Sequence, residues 1–403
     1  MRSDREPGAV PPEDYVPLSV PNIAGREWQY VKECLDTGWV SSVGSYVSRF
    51  ERDFAAWIGV DHAVATSSGT AALHIALLLA GVEPDDEVVV PALTFIAPAN
   101  AVRYVGAWPS FVDADPEFWQ LNPLEVARFL SEDCRRVHGV LRNRHSGRRV
   151  AAILPVDILG HPCDLDAIRA LAREHGVAVV EDATESLGAR YRGKLLGRAN
   201  RLTCFSFNGN KLITTGGGGM LVTDDAGLAQ RARYLTTQAK DDPVEFVHRS
   251  VGYNYRLTNV QAAIGCAQLE LVEQFLERKR QIAARYSQEL EEVPGVTPMH
   301  EATWARASYW LYTILVDAER GRDSRSLMRS LEDARVQGRP LWQPLHRSPA
   351  HRASFARPCP VAEQLNRQAL SLPSSTSLTS EQQARVIAEV RRFIAAPVPN
   401  RAQ

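Results

Sequence analysis

The segment HAVATSSGTAALHIALLLA, residues 62–80, predicts a strand that leads through a small polar turn into a helix. The strand is His62–Thr66 and the helix is Gly69–Ala80. The same alternation recurs further along, with a second predicted helix at Leu165–His175. Further strand-like runs are Glu87–Val90, Ala107–Val112, Val150–Pro155, Val177–Val180, Thr203–Phe207 and Gly219–Thr223. This alternation predicts an α/β domain with a mainly parallel sheet, in which ligands bind outside the carboxyl ends of the strands.

The pattern changes near Arg256. Thr258 and Gln261 have the spacing of a helix capping box, and apolar residues then recur at helical intervals as far as Leu290. These features predict one long helix that bridges to a second domain.

The rest of the chain predicts a smaller α+β domain. Trp310–Val316 reads as a strand, and residues 325–335 and 380–395 read as helices. We therefore expect a large domain over residues 1–260, in which residues 1–16 are a candidate flexible segment. The bridging helix and the small domain would occupy residues 261–403.

Composition and charge exclude several classes of protein. The 403 residues carry 46 Lys and Arg against 47 Asp and Glu, so neither nucleic acid nor an anionic membrane is an expected partner. None of the six cysteines lies in a CxxC pair, which favours a reduced, cytoplasmic protein and gives no reason to expect a metal. Met1–Pro7 has no apolar stretch behind it, and the apolar run Ala71–Ala80 is too short to span a bilayer.

Two further segments look functional but have simpler interpretations. The arginine-rich stretch Arg135–Arg149 has no interleaved aromatic residues, so a solvated loop or hairpin is favoured over nucleic-acid binding. Residues 188–194 match the start of a phosphate-binding loop, but Leu195 stands where Ser or Thr is required, which favours a surface turn. The glycine run at residues 216–219 lacks dinucleotide-binding spacing.

Three polar motifs follow predicted strands. Ser67–Ala72 opens a helix, where glycine and free N–H groups suit an anion, although this motif taken alone favours an ordinary helix cap. Glu181–Glu185 places acids at the end of a buried strand. Such an acid is either a solvated loop residue or the partner of a cationic heterocycle. Ser206–Lys211 ends in a lysine that is either a surface charge or a Schiff-base amine. Together, a phosphate cradle, a carboxylate for a ring nitrogen and a lysine for an aldehyde meet the needs of pyridoxal phosphate.

Several segments, in this order, carry a resemblance to a known family. They are residues 37–46 (TGWVSSVGSY), 66–73 (TSSGTAAL), 90–101 (VPALTFIAPANA), 180–189 (VEDATESLGA), 204–221 (CFSFNGNKLITTGGGGML) and 252–261 (GYNYRLTNVQ). The chain resembles the nucleotide-sugar aminotransferases often called the DegT family, from about Pro17 to Val390. The resemblance implies the aspartate aminotransferase fold, known as fold type I, and pyridoxal 5'-phosphate as cofactor, which carries the amine as pyridoxamine phosphate between two half-reactions.

The resemblance also implies roles for individual residues. Lys211 would bind the cofactor aldehyde and move protons, and Asp182 would pair with the ring nitrogen. Glu185 would lie near the ring hydroxyl, where many relatives have Gln. The remaining cofactor residues are Gly69, Thr70 and Ser206 at the phosphate, Phe95 on the ring, and Asn254, which would reach the phosphate of the partner subunit in a homodimer with shared active sites.

The substrate is indicated by fewer residues. Residues 18–22 and 37–42, together with the basic insert, resemble the branch that aminates C4 of 4-keto-6-deoxy N-acetylhexosamine nucleotides with L-glutamate as donor. In residues 339–346, the candidates for the sugar-nucleotide pocket are Arg339, Trp342 and His346, although packing roles are equally compatible with the sequence.

Other functions remain open at this point. Amination at C3 of a 3-keto sugar nucleotide is one alternative, and a non-catalytic sugar-nucleotide sensor with the same fold is another. Dehydratases of the family carry His where this chain has Lys211, which argues against that activity. Pro98 and the pair Asn200-Arg201 depart from the usual family residues.

Overall fold

The computed structural model describes residues 14–242, 244–317 and 323–396. Residues 1–13, most of the candidate flexible segment, lie outside the described residues. Among the residues described, no helix combines the length and apolar character needed to cross a membrane.

The described chain alternates helices and strands. The helices are α1 (Glu27–Thr37), α2 (Ser45–Ile58), α3 (Gly69–Leu79), α4 (Ala97–Tyr104), α5 (Pro123–Arg128), α6 (Leu165–His175), α7 (Ala226–Thr236), α8 (Asn259–Leu269), α9 (Val272–Leu290), α10 (Ser324–Asp333), α11 (Pro360–Gln368) and α12 (Ser380–Ala395). Short helical turns lie at Phe129–Asp133, Ile158–Gly160, Leu345–Arg347 and Pro349–His351.

The strands are mostly short. They are β1 (His62–Thr66), β2 (Glu87–Pro91), β3 (Trp108–Val112), β4 (Cys134–Val137), β5 (Val140–Asn143), β6 (Val150–Ile153), β7 (Ala178–Val179), β8 (Glu181–Asp182), β9 (Arg190–Tyr191), β10 (Lys194–Leu195), β11 (Thr203–Ser206), β12 (Gly219–Thr223), β13 (Val296–Pro298), β14 (Ala305–Arg306), β15 (Tyr312–Val316), β16 (Arg339–Pro340) and β17 (Ala369–Leu372).

The central sheet confirms the predicted α/β class. One half has the order β3-β2-β6-β7 with parallel pairing throughout, and the other has the order β8-β11-β12-β1. The pair β8–β11 is parallel, whereas β12 runs antiparallel to both its neighbours. A parallel bridge between Val156 and Asp182 joins the two halves. β7 and β8 are therefore consecutive parts of the predicted strand at 177–180, which extends further than the sequence indicated.

The C-terminal part contains a separate antiparallel sheet with the order β13-β15-β17-β16. α10 and α12 pack together beside it. The start of the described chain joins this region, because Val16 forms a bridge with Val336 and Ser374 N donates to Leu18 O. Apolar residues on one face of the central sheet belong to the same core as those of the antiparallel sheet. Apolar residues on the other face of the central sheet form a second core with α1, α2 and α8.

The capping box at Thr258 and Gln261 is present, but the single long helix predicted behind it is wrong. The chain instead forms α8 and α9, separated at Glu270 and Leu271, where Leu271 has φ −107° and ψ 1°. α8 packs on α1 and α2, whereas α9 packs on β13 and α12. The apolar positions stay in phase across the break, so their periodicity did not reveal this change of partners.

The two segments with simpler interpretations have the predicted form. The arginine-rich stretch contains the antiparallel hairpin β4–β5. Residues 190–195 form the hairpin β9–β10, whose turn residues Arg192 and Gly193 are exposed and have positive φ values.

Candidate active site

A cavity of about 290 Å³ lies at the carboxyl ends of β8 and β11, beside the start of α3. The sheet topology brings the three polar motifs together here, although they are far apart in the chain. The predicted site residues that line the cavity are Gly69, Thr70, Phe95, Asp182, Glu185, Ser206, Lys211, Arg339 and Trp342.

Lys211 lies in the turn after β11, where its backbone N–H donates to Asn208 O over 3.0 Å. Its side chain is 13% exposed, and Nζ lies 3.8 Å from Glu185 Oε1. Burial lowers the pKa of the Lys211 ammonium, while the charges of Glu185 and Asp182 act in the opposite direction. The amine is thus favoured in its neutral, nucleophilic form more than a surface lysine would be.

Asp182 is the last residue of β8 and is 1% exposed. Its Oδ1 accepts a hydrogen bond from Thr184 N over 2.9 Å. Burial raises the pKa of the Asp182 carboxyl, and the hydrogen bonds from Thr184 and the charge of Lys211 oppose that rise. A buried carboxyl at a cavity wall is costly unless a cation or donor meets it, so this position suits a protonated ring nitrogen.

Glu185 stands between Lys211 and the short helical turn at Ile158–Gly160. Its Oε2 accepts from Leu159 N over 2.9 Å, and Leu159 has a positive φ of 60°. Burial raises the pKa of Glu185 to about 7, with the nearby Lys211 charge opposing the rise. Glu185 is therefore poised to exchange a proton near neutral pH.

The start of α3 forms a tight cradle. Ser68 caps the helix, with Oγ accepting from Ala71 N over 3.0 Å. A Cβ at Gly69 would lie 2.8 Å from Ser206 Cβ and 3.0 Å from Thr184 Cγ2, so only glycine fits there without displacing a neighbour. Close backbone approach at a helix N-terminus is the geometry that suits a phosphate group.

The family is decided by comparison with known proteins. The sequence model of the DegT/DnrJ/EryC1/StrS aminotransferase family matches residues 21–391. The chain belongs to this family. It is similar to the GDP-perosamine synthase of Escherichia coli O157:H7, with 38% identity over 94% of this chain and 98% of the relative. It is also similar to the GDP-perosamine synthase of Caulobacter vibrioides, with 39% identity over 94% and 98% of the two chains.

A solved structure matches the fold. DesV of S. venezuelae has 33% sequence identity and a TM-score of 0.83, covering 93% of this chain and 95% of DesV. The protein is therefore an aminotransferase of fold type I, and its cofactor is pyridoxal 5'-phosphate. The buried carboxyl, the buried lysine and the glycine cradle of the cavity fit that cofactor.

One aromatic residue of the candidate site, Trp310, was not predicted from the sequence. Lys211 Nζ lies 3.9 Å from the centroid of the Trp310 ring, and Trp310 Nε1 donates to Asn210 O over 2.7 Å. The backbone O of Trp310 accepts from the buried Lys279 Nζ over 2.7 Å. The local pattern predicted only a strand there, because a contact with a lysine so distant in the chain leaves no periodic signal.

Two predicted residues of this aminotransferase do not line the cavity. Asn254 is exposed and forms a β-bridge with Thr237. His346 Nε2 lies 3.1 Å from Glu363 Oε1, so its partner in the described structure is an acid beside the cavity-lining segment.

The departures from the usual family residues have structural roles. Asn200 Nδ2 donates to the buried Glu181 Oε2 over 2.8 Å, and Arg201 pairs with Asp225 over 2.6 Å. Pro98 lies in the first turn of α4, where proline needs no N–H partner, and lines the cavity. None of these residues disturbs the aminotransferase motifs.

Proposed function

We propose that this sugar aminotransferase transfers the amine of L-glutamate to C4 of a nucleotide-linked 4-keto-6-deoxy sugar. The observation that carries the proposal is the convergence of Lys211, Asp182 and Glu185 on one cavity that Arg339 and Trp342 also line. The two similar GDP-perosamine synthases support a GDP-linked sugar and amination at C4. Residues 18–22 and 37–42 favour an N-acetylamino substituent on that sugar.

When bound, pyridoxal phosphate carries the amine between the two substrates and withdraws electrons from the carbon that loses a proton. Lys211 Nζ would move that proton from the donor carbon to a cofactor carbon, and in the second half-reaction a proton from the cofactor carbon to C4 of the acceptor. Its lowered pKa favours the neutral amine that each transfer begins from. Asp182 would hold a proton at the ring nitrogen. Glu185 keeps a carboxyl group near Lys211 that exchanges protons close to neutral pH.

The cofactor would be held by groups from both sides of the cavity. Gly69, Thr70 and Ser206 would bind the phosphate at the start of α3, and Phe95 would lie against the ring.

Arg339 and Trp342 would select the substrates. Arg339 supplies a fixed positive charge for a phosphate or a donor carboxylate, and Trp342 supplies an aromatic surface for a sugar or base. His346 would act more remotely, since its Nε2 pairs with Glu363.

The site would be completed by a second copy of the chain. Asn254 is exposed and outside the cavity of its own chain, as a residue serving the partner's phosphate would be. Lys211→Ala and Asn254→Ala subunits are each expected to be inactive alone. Mixed under exchange conditions, they should regain one competent site per heterodimer, whereas heterodimers that form without activity would contradict the shared site.

The substrate is tested by a panel of 4-keto and 3-keto sugar nucleotides, with and without an N-acetyl group, on GDP, UDP and TDP. Each is incubated with enzyme and L-glutamate, and mass spectrometry detects the amine product. We expect the 4-keto-6-deoxy compounds to be aminated. Products from the 3-keto compounds alone would indicate C3 amination, and binding of the panel without any product would indicate a sensor.

A further inference from the structure

Two carboxyl groups that have no part in the catalytic roles above are buried next to Asp182, one on the residue that precedes it and one on the segment that hydrogen-bonds to it. Asp157 and Glu181 are both 0% exposed. Asp157 Oδ2 and Glu181 Oε1 are each buried without a hydrogen-bond partner. The other oxygen of each is satisfied, because Asp157 Oδ1 accepts from Cys163 N over 2.7 Å and Glu181 Oε2 accepts from Thr203 Oγ1 over 2.8 Å.

The surroundings of this carboxyl pair do not balance two negative charges. The charge of Arg169 lowers the pKa of Glu181, but the Arg169 guanidinium donates its hydrogen bonds to Ala199 O and Asp166 Oδ1. The thiols of Cys163 and Cys204 also interact with the pair, and neither carries a positive charge. Two unpaired buried carboxylates would be very costly, whereas one proton between them removes a charge and supplies the missing donor.

We propose that Asp157 and Glu181 share one proton, with Asp157 Oδ2–H donating to Glu181 Oε1, and that this pair is a positioning device for Asp182. The pair then carries a single negative charge, and neither oxygen remains without a partner. Burial and the charge of Glu181 both raise the pKa of Asp157, in agreement with a proton that stays there.

The pair acts on Asp182 through the backbone. Asp157 N donates to Asp182 O over 3.0 Å, and Glu181 precedes Asp182 on β8 with its side chain on the opposite face of the sheet. The same turn holds Leu159, whose N–H binds Glu185. Loss of the shared proton would make the two carboxylates repel and would separate the strand that carries Asp182 from the turn that holds Glu185.

Infrared spectroscopy of the holoenzyme tests the proton directly. The wild type minus Asp157→Asn difference spectrum, taken at mildly alkaline pH, should contain the carbonyl stretch of a protonated carboxylic acid, shifted in D₂O. The matched control is Asp113→Asn, a buried acid whose oxygens already accept from Ala114, Val361 and Ala362 N–H groups. The proposal would be overturned if the Asp157→Asn difference spectrum lacked this band, or if the Asp113→Asn difference spectrum contained it with equal intensity.

Proton linkage gives a second readout. A folded-state pKa above the unfolded one makes stability fall as pH rises towards the folded value. The equilibrium constant for unfolding of the wild type, divided by that of Asp157→Asn, should therefore rise with pH. The rise should reach up to about tenfold for each pH unit above the ordinary pKa of an aspartate. A flat ratio would show that Asp157 is ionised in the folded protein and would overturn the proposal.

The positioning role is tested by rescue. Asparagine at 157 keeps an N–H donor for Glu181 Oε1 and the single negative charge, whereas alanine leaves Glu181 without a donor. Asp157→Asn should therefore retain a faster single-turnover rate with glutamate than Asp157→Ala. The wild-type rate should fall at alkaline pH as the shared proton is lost, and the Asp157→Asn rate should not show that fall. Equal rates in the two variants across pH would contradict a role in positioning Asp182.

Discussion

Replacing Glu185 by glutamine should stabilise the cofactor-free protein in a pH-dependent way. Glutamine keeps an oxygen for Leu159 N–H, which binds Oε2 of the native carboxyl over 2.9 Å, but it removes the charge. Burial raises the pKa of Glu185 from 4.5 to about 7. At about 1.4 kcal/mol for each pKa unit, burying this carboxylate costs about 3 kcal/mol once it is ionised.

The sign follows from proton linkage. The folded wild type binds more protons than the unfolded chain between pH 4.5 and about 7, so its stability falls through that window and then levels off. The stability gain of Glu185→Gln relative to wild type should therefore grow by about 3 kcal/mol from pH 4.5 to pH 8. The raised pKa of Glu185 already includes its attraction to Lys211, whose Nζ lies 3.8 Å away, so the lost ion pair needs no separate correction.

The assay is denaturant unfolding of both proteins without cofactor, at a fixed protein concentration, from pH 4.5 to 8.5. A free-energy difference between the two proteins that stays constant over this range would contradict a raised pKa of Glu185. It would mean that Glu185 is ionised throughout and that water or Lys211 compensates its burial fully.

Three further variants test the site. Lys211→Ala should fold normally, as judged by circular dichroism. Its transamination rate should fall by far more than the roughly 10²–10⁴-fold that proton transfer alone contributes, because the Schiff-base amine is lost as well. Wild-type turnover would disprove the role of Lys211. Asp182→Asn should slow the single-turnover reaction with glutamate about 10- to 100-fold, the worth of a charged hydrogen bond, with little change in Tm; an unchanged rate would make Asp182 a structural acid. Gly69→Ala would bring a Cβ to 2.8 Å from Ser206 Cβ and should weaken cofactor binding by about 1–3 kcal/mol, measured by fluorescence titration, whereas unaltered binding would show that the cradle yields.

Much of the fold was readable in the sequence because its signals are local. β1, β12, α6 and α12 have the bounds that the sequence predicts. α6, for example, ends just before Gly176, whose positive φ of 67° suits a helix C-cap. The break at Glu270 was not readable, because it depends on contacts made by the end of α8. There, Glu270 accepts from Tyr30 OH and Gln268 donates to Asn22 O.

The candidate site shows the same division. Lys211 and Asp182 follow strands whose carboxyl ends meet, so strand order in the sequence was enough to bring them together. Trp310 reaches Lys211 from the C-terminal part through packing of whole elements, which no spacing encodes. The roles of all the site residues remain predictions, and those of Asn254 and His346 also depend on a partner or substrate beyond the single chain.

The most direct test of amine transfer through Lys211 is the first half-reaction in isolation. Purified enzyme loaded with pyridoxal phosphate is mixed with L-glutamate without any sugar, and the 2-oxoglutarate formed is counted per subunit. We expect close to one 2-oxoglutarate per wild-type subunit and none from Lys211→Ala. Absence of 2-oxoglutarate from the loaded wild type, or equal release by Lys211→Ala, would contradict amine transfer from glutamate through Lys211.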